Sequence, residues 1–105
     1  MKTLKGFEKK YLRGLAHDLK PVVLIGKEGI TNGTVRAADE ELSRHELIKI
    51  KFNDFKEKNQ KDTLTGELVL RTGSAQIGMI GHKAILYRPQ TDPAKRRIPL
   101  PAKEK

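Results

Sequence analysis

The sequence of 105 residues has no cysteine, no tryptophan and only three phenylalanines and two tyrosines. The absence of cysteine excludes disulfides, cysteine-based metal sites and thiol catalysis, and it fits a reducing compartment. The longest apolar run, Val22 to Ile25, is far too short to span a membrane, and the first residues lack an apolar stretch of signal-peptide length. We therefore expect a soluble, cytoplasmic protein with a single domain. A domain of this length can form a stable core without disulfides or bound metal ions.

Acidic side chains are also scarce relative to basic ones. The sequence has 22 lysines and arginines against 13 aspartates and glutamates, which gives a formal net charge of +9. Residues 1–20 and residues 88–105 each carry a net charge of +4, whereas residues 21–82 sum to zero. If the fold brings the two ends to one side, a basic face results that would bind polyanions by releasing counterions. Charge alone leaves nucleic-acid binding and simple solubility equally open.

Apolar residues at helical spacing predict three helices. The first follows Thr3 as its cap and ends before His17, and the second is capped by Thr31 or Asn32 and ends near residue 45. The third covers about residues 58–72, and Gly73 suits the position after its last turn. The predicted inward-facing residues of the three helices are Leu4, Phe7, Tyr11 and Leu15, then Val35, Ala38 and Leu42, then Leu64, Leu68 and Leu70.

Four segments are typical of strands. Residues 22–25 are continuously apolar and β-branched, which predicts a fully buried strand. Residues 47–52 alternate, which predicts a half-buried strand with Ile48, Ile50 and Phe52 on its core face. Residues 75–80 and 83–88 flank Gly81 and His82, a two-residue connection that favours a type II′ hairpin.

The order αβαβαββ predicts an α/β fold in which a four-stranded mixed sheet packs against three helices. Crossover helices favour parallel neighbours, and the final hairpin adds an antiparallel pair. The expected organisation is one domain over residues 1–89, followed by an extended or frayed basic tail over residues 90–105.

No motif indicates a catalytic residue, a metal ligand or a cofactor site. His45 and Glu46 open like a zinc-protease motif, but Lys49 stands where the second histidine is required. His17 and His82 have no partner in the sequence that would complete a triad. An enzyme would therefore need an acid–base pair that only the tertiary structure brings together.

The segment from Gly26 to Gly29 is the most informative feature. Two glycines that flank Lys27 and Glu28 let the backbone turn tightly and expose its N–H groups, and neither glycine blocks a sugar-phosphate backbone. The helix that follows adds a partial positive charge, and Lys27 adds a full one. A G-x-x-G loop clamps nucleic-acid backbone in KH domains, although there it joins two helices. Few aromatic residues are available for base stacking, so we expect recognition of the backbone and shape of structured RNA.

Several segments stand out together in their order and spacing. They are Gly14-Leu15-Ala16-His17, Lys20-Pro21-Val22-Val23, the Gly26–Gly29 loop with Ile30-Thr31, His45-Glu46-Leu47-Ile48-Lys49-Ile50-Lys51, Ile80-Gly81 and Leu86-Tyr87-Arg88. In this combination they resemble the CRM domain family, and within it the stand-alone bacterial YhbY-like RNA-binding proteins. The resemblance extends from about Lys5 to Pro101. Two positions depart from the family pattern: Gly78 stands where the family often has glutamine, and Gly66 interrupts the third helix.

The resemblance implies a fold similar to the C-terminal domain of translation initiation factor 3. It also implies RNA binding and an assembly role on precursors of the large ribosomal subunit. The RNA-binding residues expected from the loop and its flanking cations are Gly26, Lys27, Glu28, Gly29, Lys5, Lys9, Lys10, Arg13 and Lys20. Nothing in the sequence demands more than a monomer. The alternative interpretation is a protein-interaction module whose basic ends bind an acidic partner.

Overall fold

The structure, a computed structural model, describes residues 4–55 and 57–100. Within them the chain forms three α-helices, four strands and one short 3-10 turn, in the predicted order αβαβαββ. The elements are α1 (Gly6–Ala16), β1 (Val23–Ile25), α2 (Asn32–His45), β2 (Leu47–Phe52), α3 (Lys58–Thr72), β3 (Ala75–Ile80), β4 (Lys83–Tyr87) and the 3-10 turn Pro93–Lys95.

The four strands form one mixed sheet in the order β1-β2-β4-β3. β1 and β2 run parallel, while β4 is antiparallel to both β2 and β3. The predicted α/β fold is therefore confirmed. The parallel pair is joined through α2, and the antiparallel pair is joined by the tight turn at Gly81, whose φ of +59° suits glycine.

The sheet separates two cores. On one face, α2 and α3 cover a core built around Ile25, Leu42, Ile50 and Leu68. On the other face, α1 packs over a smaller core that includes Leu47, Ile77, Ile85 and Tyr87. Burial of these apolar side chains is the dominant stabilising term of the fold.

The first strand departs from the prediction that residues 22–25 are fully buried. Val23 and Ile25 are buried, but Val22 is 44% exposed and Leu24 is 56% exposed. The reason is strand order, because β1 lies at the edge of the sheet and only its α2 side is covered. Continuous apolar runs are typical of strands covered on both faces, and this edge strand is not one of them.

The predicted inward face was wrong for part of α1 and for one residue of α3, whose Leu64 and Leu68 do pack in the core as predicted. In α1, Leu12 and Ala16 are fully buried, whereas Tyr11 and Leu15 are 39% and 42% exposed. The helix carries two overlapping apolar stripes, and the stripe with the small Ala16 faces the sheet. In α3, Leu70 is 85% exposed. Helical spacing alone cannot choose between two adjacent stripes.

Two helix starts and one helix end follow local capping chemistry. α1 begins at Gly6, where a Glu8 oxygen accepts the Lys5 backbone N–H at 2.8 Å; the predicted cap Thr3 lies outside the described residues. Thr31 caps α2 as predicted, accepting the Thr34 backbone N–H at 3.1 Å. Gly73 ends α3 in the left-handed conformation with φ of +68°, as its position in the sequence predicts.

Residues 90–98 lie in the segment expected to be an extended or frayed tail, and in the structure they are hydrogen-bonded to the domain. The fully buried carboxylate of Glu46 accepts backbone N–H groups from Gln90 at 2.7 Å, Arg97 at 2.6 Å and Ile98 at 3.0 Å. The division between a domain over residues 1–89 and a tail over 90–105 stays a prediction.

None of the α-helices in residues 4–55 and 57–100 has the length and apolar character that crossing a membrane requires.

Candidate functional site

The Gly26–Gly29 loop shares one end of the sheet with the β3–β4 turn. β1 ends at Ile25 beside Phe52, the last residue of β2. The Asn53 N–H donates to the Ile25 carbonyl at 2.9 Å, and the Phe52 N–H donates to the His82 carbonyl at 2.7 Å. We call this end of the strands the loop end. The opposite end of the sheet, where β2 begins and β4 ends, is called the tail end.

The loop is a tight turn whose last residue, Gly29, packs against the domain. The Gly29 N–H donates to the Gly26 carbonyl at 3.0 Å, and Gly29 is buried with φ of +72°. A Cβ added at Gly29 would lie 3.4 Å from Leu64 Cδ2 and 3.9 Å from Phe55 Cζ. Gly26 has no such neighbour within 4 Å and no left-handed φ. Of the two glycines, Gly29 is therefore the one the turn itself requires.

The top of the loop is open to a ligand. Lys27 and Glu28 are exposed, and no backbone hydrogen bond among the described residues uses either of their N–H groups. Two neighbouring free N–H groups in a turn form a concave site that suits an anionic oxygen. Lys27 adds a cation at the same place, whereas the exposed carboxylate of Glu28 would repel a bound anion.

The start of α2 supports the same polarity. Its first residue, Asn32, comes three positions after Gly29, so the positive end of the helix lies close to the turn. Arg71 of α3, which also pairs with Glu67 at 3.3 Å, donates to the Asn32 side-chain oxygen at 2.7 Å and so lies beside the helix start. Arg71 was not predicted, because nothing in the sequence links the last turn of α3 to the first turn of α2.

Lys5 and Lys9 lie away from the loop. The first turn of α1 is at the tail end, where Leu4 packs on the core that contains Tyr87. α1 then runs only to the middle of the sheet, where the Lys49 Nζ donates to the His17 carbonyl at 3.3 Å. The predicted site residues therefore do not form one cluster around the loop.

The side chain of Arg13, a residue of α1, lies over the middle of β3 rather than at the loop end of the sheet. Its side chain crosses Gly78 so closely that a Cβ there would meet Arg13 Cδ at 2.9 Å, and its guanidinium donates to the Ile77 carbonyl at 3.3 Å. The glycine that departs from the family pattern therefore makes room for this arginine. Lys10 and Lys20 are exposed, on the outer side of α1 and on the connector before β1.

The two basic ends of the chain do meet, but at the tail end. Ile98 and Leu100 pack with Leu4 against the α1-side core. Burial raises the pKa of the Tyr87 hydroxyl in this region, and the negative charge of Glu46 raises it further. Within residues 4–20 and 88–100, the two basic segments therefore meet at the opposite end of the sheet from the Gly26–Gly29 loop.

Sequence reasoning also missed cations at the loop end. Lys61 is 5% exposed and donates to the Gly81 carbonyl at 2.6 Å, which ties the β3–β4 turn to α3. Lys51 and Lys83 are exposed and directly paired across β2 and β4. The alternation of β2 places Lys51 outside the core, but only the sheet register brings Lys83 beside it.

Two of the three histidines have a charged side-chain neighbour within the described residues. His45 pairs with Glu41 at 3.3 Å on the same helix, and the His82 ring lies 3.4 Å from the Lys61 Nζ. In the parts of the chain that the structure describes, no group of three or more histidine, aspartate or glutamate side chains could hold a metal ion.

Comparison with known proteins gives a consistent picture. Residues 4–88 match the family model of the CRS1 / YhbY (CRM) domain. The chain is 39% identical over 99 residues to a Haemophilus influenzae protein named RNA-binding protein, covering 94% of this chain and 98% of that one. A Bacillus subtilis protein named a probable RNA-binding protein is 31% identical, with 93% and 99% covered. The solution structure of a hypothetical protein from Staphylococcus aureus has a TM-score of 0.78 and 32% identity, covering 92% of this chain and all (100%) of that one.

Proposed function

Because the chain belongs to the CRS1 / YhbY (CRM) domain family, we propose that it binds RNA and acts by binding rather than by catalysis. The observation that carries the proposal is the Gly26–Gly29 turn, with two free N–H groups, an exposed Lys27 and a helix start behind them. The names of the relatives in Haemophilus influenzae and Bacillus subtilis support RNA as the polyanion.

The loop suits backbone recognition better than base reading. Phosphate oxygens are the ligands that free N–H groups and lysines accept, and they carry no sequence information. Of the five aromatic residues, Phe52 and Tyr87 are buried in the cores, and Tyr11, which is 39% exposed, is on α1 and not in the loop, so no row of exposed aromatic rings is available beside it for base stacking among the described residues. We therefore propose structured RNA as the ligand, recognised by the shape of its backbone.

The finer part of the proposal is a role in assembly of the large ribosomal subunit, carried out by a monomer in the cytoplasm. It is supported by the likeness to stand-alone YhbY-like proteins and by the match of nearly the whole chain to relatives of similar length. Crosslinking to RNA in cells, with mapped sites, tests it. Crosslinks concentrated in precursor large-subunit RNA are expected, and crosslinks confined to other RNAs would exclude the assembly role.

Lys27→Glu tests the site. Affinity for a labelled RNA hairpin with a short single-stranded extension should fall about tenfold or more at about 0.1 M salt. Loss of one phosphate contact alone costs about fivefold there, and the new carboxylate adds repulsion. The matched control is Lys95→Glu, which makes the same charge change at an exposed tail residue.

An affinity of the Lys27→Glu variant equal to that of the unaltered protein would show that the loop is not the contact. The alternative, a protein module for an acidic partner, predicts associations in cell extracts that survive nuclease treatment. RNA-dependent associations should be lost under the same treatment.

A further inference from the structure

The loop end carries a row of four exposed residues on the α1 side of the sheet. Leu24, Lys51, Lys83 and Ile80 are successive cross-strand partners in β1, β2, β4 and β3. The residues beside them in each strand belong to the core under α2 and α3, so strand alternation turns these four to the opposite face. We call these four residues the open row.

α1 stops one row short of this position. The neighbouring row contains Gly78 and Lys49. Gly78 is covered by the Arg13 side chain, and Lys49 is bonded to the His17 carbonyl at 3.3 Å. The open row lies beyond this cover, and its two apolar members are 56% and 63% exposed.

The centre of the open row is two like charges placed side by side. Lys51 and Lys83 are directly opposite in antiparallel register, and like charges in that position destabilise a sheet. Glu28 and Asp54 lie at the same end, but no ion pair among the described residues includes either lysine. The pair therefore lacks a counter-charge within the described parts of the chain.

We propose that the open row is a second RNA contact. The RNA strand that is bound at the Gly26–Gly29 loop continues over this row and places a backbone phosphate between Lys51 and Lys83. Its sugars then lie against the apolar residues at the two ends of the row. This inference rests on the proposed function, and it names the cations that act with the loop. Leu24 is two residues before Gly26, about 7 Å along an extended strand, so one RNA strand can reach both places.

RNA is a better occupant than an apolar protein surface because of charge. A protein partner would have to bury two adjacent ammonium groups, which requires its own carboxylates. A phosphate satisfies both lysines at once and relieves their repulsion. The cations of the first turn of α1 cannot serve here, because that turn lies at the tail end with Tyr87.

The single variants Lys51→Gln and Lys83→Gln test the inference through two opposite effects. Affinity for the same hairpin RNA should fall about fivefold per variant at about 0.1 M salt, and the slope of log affinity against log salt should shrink by about 0.7. The melting temperature of the free protein should rise by about 1–3 °C, because a repulsive pair is removed. Lys95→Gln, at an exposed lysine in the 3-10 turn with no cross-strand lysine partner, should not raise the melting temperature.

A photo-crosslinking residue gives a readout of position. p-Benzoylphenylalanine at Ile80 should crosslink the RNA, whereas the same residue at Leu70, which is 85% exposed on α3, should not. Crosslinks from Ile80 to protein in cell extracts, with none to RNA, would assign the row to a protein partner and overturn the inference.

The outcomes separate this inference from the proposed function. Unchanged affinity in both lysine variants, together with weak binding by Lys27→Glu, would show that the open row does not contact RNA and that the loop does. A lower melting temperature in both variants overturns the view that the lysines repel each other in the free protein. Failure of the unaltered protein to bind RNA removes both proposals.

Discussion

Replacing Glu46 by glutamine should destabilise the protein strongly, although the substitution changes only one atom of the side chain. The carboxylate is fully buried and accepts three backbone N–H groups, from Gln90, Arg97 and Ile98. Hydrogen bonds to a charged group contribute about 1.5–3 kcal/mol each. Glu46 has a φ of +63°, and glutamine adopts that conformation no more easily, so backbone strain does not confound the comparison.

The magnitude follows from the three bonds. Arg97 and Ile98 donate to one oxygen, and a glutamine carbonyl can keep both bonds in weaker, uncharged form. The N–H of Gln90 donates to the other oxygen, where the amide NH₂ would oppose it. Together these changes should lower the free energy of unfolding by about 3 kcal/mol, a large part of the roughly 5–15 kcal/mol typical of a domain.

Urea unfolding followed by circular dichroism measures the effect, and the midpoint should fall by about 1–2 M. Amide exchange at Arg97 and Ile98 should speed up as the tail is released. Glu40→Gln is the matched control, since Glu40 is exposed on α2 and loses the same charge. Equal midpoints for the two variants, or unchanged exchange at the tail amides, would refute the assignment of Glu46 as the anchor.

The remaining predictions concern the loop and the buried tyrosine. Gly29→Ala should lower the free energy of unfolding by about 1–2 kcal/mol in a thermal melt, because of its left-handed φ and the nearby Leu64. Gly26→Ala should cost less, and equal losses would contradict the unequal roles of the two glycines. Because the pKa of the Tyr87 hydroxyl is raised in the folded protein, the unfolded chain releases the hydroxyl proton at a lower pH than the folded protein does. The free energy of unfolding therefore keeps its full value below pH 10.0 and falls as the pH rises through the folded pKa. Tyr87→Phe should reduce this loss in urea midpoints, and tyrosinate absorbance in a Tyr11→Phe background should show Tyr87 ionising above pH 10.0.

Features that depend on neighbouring residues were predictable from the sequence. α3 spans Lys58–Thr72 as the apolar spacing and Gly73 predicted, and Thr31 caps α2. The alternation of β2 correctly placed Ile50 in the core, because side chains of a strand point to alternate faces.

Features that depend on strand order were not predictable. Leu24 looked like a core residue, but β1 is an edge strand, so its outer face has no helix above it. The Lys51–Lys83 pair arises only from the register of β2 against β4. Glu46 looked like part of a failed zinc motif, and its role as an anchor appears only when residues 90–98 fold back over it.

By itself, the sequence determined the order of the elements, the Gly26–Gly29 turn and the family resemblance, because periodicity, capping and turn chemistry act between residues close in the chain. Only the tertiary structure decided where the charges lie. The two basic segments meet at the tail end through packing of Leu4 and Leu100. The lysines at the loop end are instead Lys51 and Lys83, which pair across β2 and β4. Electrostatic fields depend on distances in space, and those distances are decided by how the strands pair and which face each helix covers.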